Sequence, residues 1–288
     1  MTGRRLVLGI SGHQTAHLLD WTASVAEPGD QVRIVHAYRP IPYAATDWQL
    51  PIDTEAMVLD LTVRHVRDAA NRLRRLRPDI QVRDELTGDR AEVMLLDAAA
   101  AADLVLVGSP HCDRSRAVLD QVLGSIACPL LVLGAAATHR SGSVTAVLRG
   151  DAGDDAVLEV AFTEADRRRG TLLAVKQWWP PLDGSRLSVE TAEQQALDTQ
   201  LEQWQRRRPG VAVIAELLLG DSAARLRDRA TDAELLVLNR PGTATIADTL
   251  LAELILTRDQ PTLVVPRQLV RSTSIGAAPP SERVPVAT

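Results

Sequence analysis

The chain has 288 residues, 45% hydrophobic and 24% charged, with a net charge of -5. This is enough for two ordinary domains and the profile of a folded globular protein. It excludes a membrane-spanning helix, since no run approaches about 18 apolar residues, and general attraction to nucleic acid or anionic lipid. Two cysteines, Cys112 and Cys128, exclude a disulfide framework, so the expected location is cytoplasmic. The start, MTGRRLVLGI, reads as a first strand and lacks the apolar core of a signal peptide.

In chain order, RLVLGI, QVRIVHAY, IQVRDEL, ADLVLVG and PLLVLG are short apolar or β-branched runs that predict strands. Thr54 to Arg77 predicts an amphipathic helix, with Val58, Leu59, Leu61, Val66, Ala69, Ala70, Leu73 and Leu76 on one stripe. The second half repeats this with strands VTAVLR, TLLAVKQW, VAVIAEL, ELLVLN and TLVV. Helices are predicted over Asp154–Arg169, Glu190–Arg208, Ser222–Thr231 and Thr245–Thr257. The halves are internally similar: GDRAEVMLLDAAAAADLVLVGSP (88–110) matches GDSAARLRDRATDAELLVLNRP (220–241), CPLLVLG matches QPTLVVP, and RRLVLGISG matches TAVLRGDAG. The order of blocks is the same, so this is one duplicated domain.

Near-continuous apolar strands separated by helices predict parallel sheets covered on both faces. The expected fold is α/β, two tandem doubly wound five-stranded sheets, with domains at 1–136 and 143–267. The tail, 268–288, has the composition of a disordered end. In such sheets ligands bind beyond the carboxyl ends of the strands, where strand order reverses.

The pattern resembles a tandem universal stress protein over about residues 4–135 and 143–267. Its markers are Gly88-Asp89 and Gly220-Asp221 opening a helix, the following Ala-Asp/Glu-Leu strands, and Cys/Gln-Pro-x-Leu-Val at the last strand, each present twice. The resemblance implies the Rossmann-like adenine nucleotide alpha hydrolase fold. In ATP-binding members it also implies a Gly-x-x-Gly, nine residues, Gly-Ser/Thr loop after the fourth strand, because backbone amides must approach phosphate closely.

Both halves depart from that loop. In the first, Gly108-Ser109 keeps the first glycine and His111 stands at the second. Gly124-Ser125 lies too near Pro129, and the family spacing counts back to Arg116-Ala117. In the second, Asn239 replaces the first glycine, Gly242 stands at the second, and the count lands on Asp248-Thr249, where the carboxylate would repel phosphate. Each loop is about four residues short. For the adenosine side, Ser11 replaces the expected aspartate. In the second half, strand alignment gives Asp151 and helix alignment gives Arg149.

The candidate ligand-side residues are therefore Gly9, Ser11, His36, Gly108, Ser109, His111, Asp151, Gly242 and Thr249. The expected function is non-enzymatic: a stress-response protein acting by partner binding or sensing, with no bound cofactor. The alternative is an ATP- or AMP-binding sensor, or slow ATPase, using an altered loop in the first half. The resemblance implies that the two halves pair as a pseudo-dimer through PLLVLG and TLVVP. A homodimer and an unknown protein partner are further expectations; nucleic acid and membrane are not.

His13, His36, His111 and Cys112 are permissible metal ligands near the crevice, but no CxxC or HExxH spacing joins them. The arginines at 72–77, 167–169 and 206–208 precede Pro or Gly at predicted helix C-termini, where positive charge offsets the helix dipole. Tyr38, Tyr43, Trp48, Trp178 and Trp179 follow the second strand of each half, as a lid, a partner surface or local packing. No nucleophile elbow or Walker sequence is present.

Overall fold

The structure is a computed structural model. It describes residues 3–12, 14–38, 53–134, 142–178, 186–219, 225–226, 228–229, 233–242, 251–252, 254–255 and 260–266. The first half runs β1 (Arg5–Gly9), α1 (Thr15–Val25), β2 (Gln31–Ala37), α2 (Asp53–Leu76), β3 (Gln81–Thr87), α3 (Ala91–Ala99), β4 (Leu104–Gly108), α4 (Asp113–Ser125) and β5 (Leu130–Leu133). The second runs β6 (Val144–Leu148), α5 (Asp154–Arg168), β7 (Thr171–Trp178), α6 (Arg186–Arg207), β8 (Ala212–Leu219), β9 (Leu235–Asn239) and β10 (Thr262–Val265). The helices expected over 222–231 and 245–257 fall largely outside the described residues, as do Thr249 and the tail.

The two five-stranded sheets are fused into one ten-stranded sheet, ordered β3-β2-β1-β4-β5-β10-β9-β6-β7-β8. Neighbours are parallel except at the centre. There β5 and β10 run antiparallel, with Thr262 opposite Val132, Leu263 opposite Leu131 and Val264 opposite Leu130. Strand alternation divides the core. Leu6, Leu8, Ile34, Leu148 and Ala174 point to one face, packed with Leu18, Leu73, Leu158 and Phe162 from α1, α2 and α5. Val7, Val105, Val147 and Leu238 point to the other, packed with Leu95 and Leu119 from α3 and α4. Both layers are continuous across the β5–β10 joint, so the joint is core rather than a hinge.

The predicted arginine clusters do sit at helix ends: Arg74 and Arg75 in α2, Arg167 and Arg168 in α5, Arg206 and Arg207 in α6. Several also form specific bonds. At the α1 C-terminus the Val25 carbonyl accepts from Arg4 Nη2 at 2.9 Å and, across the halves, from Arg167 Nη2 at 2.7 Å. Arg167 also pairs with Glu27 at 2.9 Å and Glu164 at 3.0 Å. Two cations on one helix-terminal carbonyl place positive charge where the helix dipole is negative and tie α5 to the first half.

Candidate functional site

Strand order reverses between β1 and β4 in the first half and between β6 and β9 in the second. The ligand-side crevices therefore open above the ends of these pairs. The helix following the first strand of each half begins there, with Gln14 as N-cap residue of α1 and Gly153 as N-cap residue of α5. Facing them, the last residues of β4 and β9 are Gly108 and Asn239.

These four residues form two reciprocal pairs. In the first half Gln14 stands over Gly108: a Cβ on Gly108 would lie 2.6 Å from Gln14 Oε1. Gln14 Nε2 donates to Ser109 Oγ at 3.3 Å. Its backbone is left-handed, φ 61°, a conformation uncommon outside glycine. In the second half the glycine has moved to the helix and the amide to the strand. A Cβ on Gly153 would lie 2.4 Å from Asn239 Nδ2 and 2.9 Å from its Cγ. Asn239 is fully buried, and among the described residues neither amide atom has a hydrogen-bond partner. The Oε1 of Gln14 is likewise buried and has no partner among the described residues. Each crevice floor thus holds one amide side chain seated on one glycine.

Around the first crevice, Gly9 ends β1 where a Cβ would meet Leu95 Cδ2 at 2.7 Å, so glycine here lets α3 close on the sheet. Ser11 is exposed, and its carbonyl accepts from Thr15 Oγ1 at 2.6 Å. The Thr15 hydroxyl in turn accepts from His65 Nε2 at 3.2 Å. His36 donates through Nδ1 to the Ile10 carbonyl at 2.8 Å and meets His65 edge-to-face with centroids 6.3 Å apart. His36 thus anchors the end of β1 to α2.

Ser109 N donates to Leu133 O at 2.8 Å, continuing the β4–β5 ladder. His111 is exposed, and its amide donates to Ser115 Oγ at 3.0 Å. The structure brings Gly9, Ser11, Gly108 and Ser109 to one rim, with His36 beneath and His111 displaced onto the turn into α4.

Only Ser109 to Cys112 separate β4 from α4, whose N-terminus is capped from within. Ser115 Oγ accepts from the Cys112 amide at 3.1 Å, and the Cys112 sulfur completes the capping box. Asp113 occupies the first turn. Arg116-Ala117 follow in the helix, and Gly124-Ser125 close it. The hydrogen bond from Ser115 holds the Cys112 thiol below its usual range, aided by amides and Arg114. Burial pushes Cys128 up to about 11. In the folded chain Cys112 will alkylate with iodoacetamide well before Cys128; equal rates by mass spectrometry would contradict this placement.

In the second half, strand register decides between Arg149 and Asp151. Gly9 lies opposite Val107 and Val147 opposite Leu238, so Arg149, two residues past Val147, matches Ser11. Asp151 is exposed and accepts from Gly153 N at 2.8 Å, a local turn into α5. The buried carboxylate here is Asp154, which accepts from the Arg149 and Gly150 amides at 2.9 and 2.7 Å. Burial raises its pKa against those bonds. Lys176, paired with Glu193 at 2.6 Å, occupies the second-strand position next to Gly150. Gly242 is half-buried in the turn after β9.

Trp178 ends β7, buried at 5% exposure, and packs as core. Tyr38 reaches the Glu55 carbonyl, while Tyr43, Trp48 and Trp179 lie outside the described residues. Among the described residues no group of three or more His, Cys, Asp or Glu side chains could hold a metal ion. Likewise, no helix among them is long and apolar enough to cross a membrane.

A duplicated, doubly wound sheet with its crevices over the β1–β4 and β6–β9 reversals defines a tandem Rossmann-like α/β protein. Residues 3–134 match the model of the universal stress protein family. The chain is similar to a universal stress protein of Mycobacterium tuberculosis, 25% identical over 267 residues that cover 82% of this chain and 86% of the relative. One from Mycolicibacterium smegmatis is 26% identical over 254 residues, covering 77% and 81%. Among solved structures, a universal stress protein from Archaeoglobus fulgidus superposes with a TM-score of 0.67 at 14% identity. That superposition covers 92% of this chain and 97% of the other. The cytoplasmic domain of a prokaryotic cation chloride cotransporter superposes at 0.57 with 10% identity, covering 93% and 96%. These likenesses support the fold.

Proposed function

We propose that this chain is a cytoplasmic stress-response protein that acts by binding a partner or sensing a state, without nucleotide turnover or a bound cofactor. The observation that carries this reading is the pair of amide side chains seated on the crevice glycines, Gln14 on Gly108 and Asn239 on Gly153. A nucleotide needs the glycine surface bare so that backbone amides can reach its phosphates. Two further features oppose phosphate in the first half: the internal Ser115–Cys112 cap and the Asp113 carboxylate at the α4 N-terminus.

A ligand that binds only the folded state stabilises it by RT ln(1 + [L]/Kd), about 4 kcal/mol at a thousandfold excess over Kd. Thermal melts with millimolar ATP, ADP, AMP or cyclic AMP will therefore show no rise in Tm; a rise of several degrees would contradict the proposal. One observation favours the alternative of nucleotide binding in the first half alone. Gln14 is only partly buried and Gly108-Ser109 are retained, so this amide could swing aside, whereas Asn239 is sealed. A Tm rise abolished by Gly108→Val would select that alternative.

A further inference from the structure

Among the described residues, the two outer strands of the ten-stranded sheet, β3 and β8, each have no strand paired along one edge, and they are built differently. In the middle of β3 stand Arg83, Asp84 and Glu85, with Asp84 paired to Arg74 and Glu85 to Arg33. Charges on an outer strand oppose the addition of another strand. β8 reads AVIAELLL. Its single charge, Glu216, is paired with Arg229 at 2.8 Å. Ile214 is 59% exposed, among the most exposed large apolar side chains of the described residues. All eight residues are held in register by β7. A long, flat, apolar outer strand without proline is a template for strand pairing.

We propose that β8 pairs antiparallel with the β8 strand of a second copy of this chain, about a two-fold axis perpendicular to the sheet that passes midway between the two Ile214 residues. Directly opposed residues in an antiparallel pair share a face. This axis sets Ile214 against the partner's Ile214, Val213 against the partner's Ala215, and Ala212 against the partner's Glu216. No like charges oppose one another. The same operation on β3, centred on Asp84, would set two carboxylates face to face. A β8–β3 contact would be head-to-tail and would not close at a dimer. The chain already uses this kind of join internally, since β5 and β10 fuse the halves antiparallel through only three paired positions.

The test is sedimentation and light scattering of the full chain, with circular dichroism to confirm folding of each variant. The wild type will have twice the chain mass of 31.2 kDa, Ile214→Lys will have the single-chain mass, and Met57→Lys, on the exposed face of α2, will remain dimeric. In a Cys112→Ser background, Ile214→Cys will form a disulfide-linked dimer on oxidation and Asp84→Cys will not. A monomeric wild type, a dimer that survives Ile214→Lys, or cross-linking through Asp84→Cys would each overturn the proposal.

Discussion

Replacing Gly153 by alanine will destabilise the chain by about 1–3 kcal/mol, the range for forcing extra volume into a packed interior. Replacing Asn239 by glycine in that background will return most of the loss. The new methyl would lie 2.4 Å from Asn239 Nδ2, and Asn239 is fully buried, so the amide has nowhere to swing. The double-mutant cycle isolates the contact, with a coupling of about 0.5–3 kcal/mol for residues that touch. The effect should be asymmetric between halves. Gly108→Ala brings a methyl 2.6 Å from Gln14 Oε1, but that atom ends a flexible, partly exposed side chain. Its cost should be smaller and nearly uncoupled from Gln14→Ala. Denaturant melts of both cycles decide this; equal costs in the two halves would remove the distinction between a sealed and a movable amide.

Asp30→Ala will cost about 1–3 kcal/mol, the range for leaving buried donors without their acceptor, because the Arg4 guanidinium it leaves is partly exposed. Asp30 is 1% exposed. It accepts from Arg4 N at 2.8 Å, Arg4 Nη2 at 2.7 Å and Glu27 N at 2.9 Å. Its loss strands Arg4, which also holds the Val25 carbonyl that Arg167 reaches from the second half. Burial alone pushes this carboxyl up; the Arg4 side chain and the amides of Glu27 and Arg4 outweigh it and hold it below the ordinary value.

The sign of the pH effect follows. A carboxyl with a depressed folded pKa stabilises fully above its unfolded value, about 3.9, and loses that contribution as pH falls through the folded pKa. The gap between wild type and Asp30→Ala should therefore be constant near neutrality and narrow below about pH 4. Denaturation measured across that window checks it; a gap that widens in acid would contradict the pairing.

The strands, the duplication and the family likeness were legible because they rest on local patterns: short apolar runs, a repeated Gly-Asp, a repeated Pro before the last strand. The departure from the family's glycine-rich loop spacing was legible as a count of residues. What occupies the space was not. Gln14 and Ser109 lie 95 residues apart and meet only through the sheet, and the left-handed backbone at Gln14 has no glycine to announce it. A signal was nonetheless present, since the glycine and the amide exchange places between halves, Gln14 with Gly108 against Gly153 with Asn239. Such compensation reads as contact once the two N-caps are aligned. Arg149 against Asp151 was undecidable from sequence because the turn between the first strand and its helix differs in length between the halves, and strand register supplies the missing alignment.

The central claim is that each crevice is filled by the chain's own amide rather than by nucleotide. Titration calorimetry of the wild-type chain with ATP, ADP, AMP and cyclic AMP tests it most directly. The account predicts no saturable heat in the micromolar range for any of the four; micromolar binding that is lost on changing Gly108 or Ser109 would contradict it.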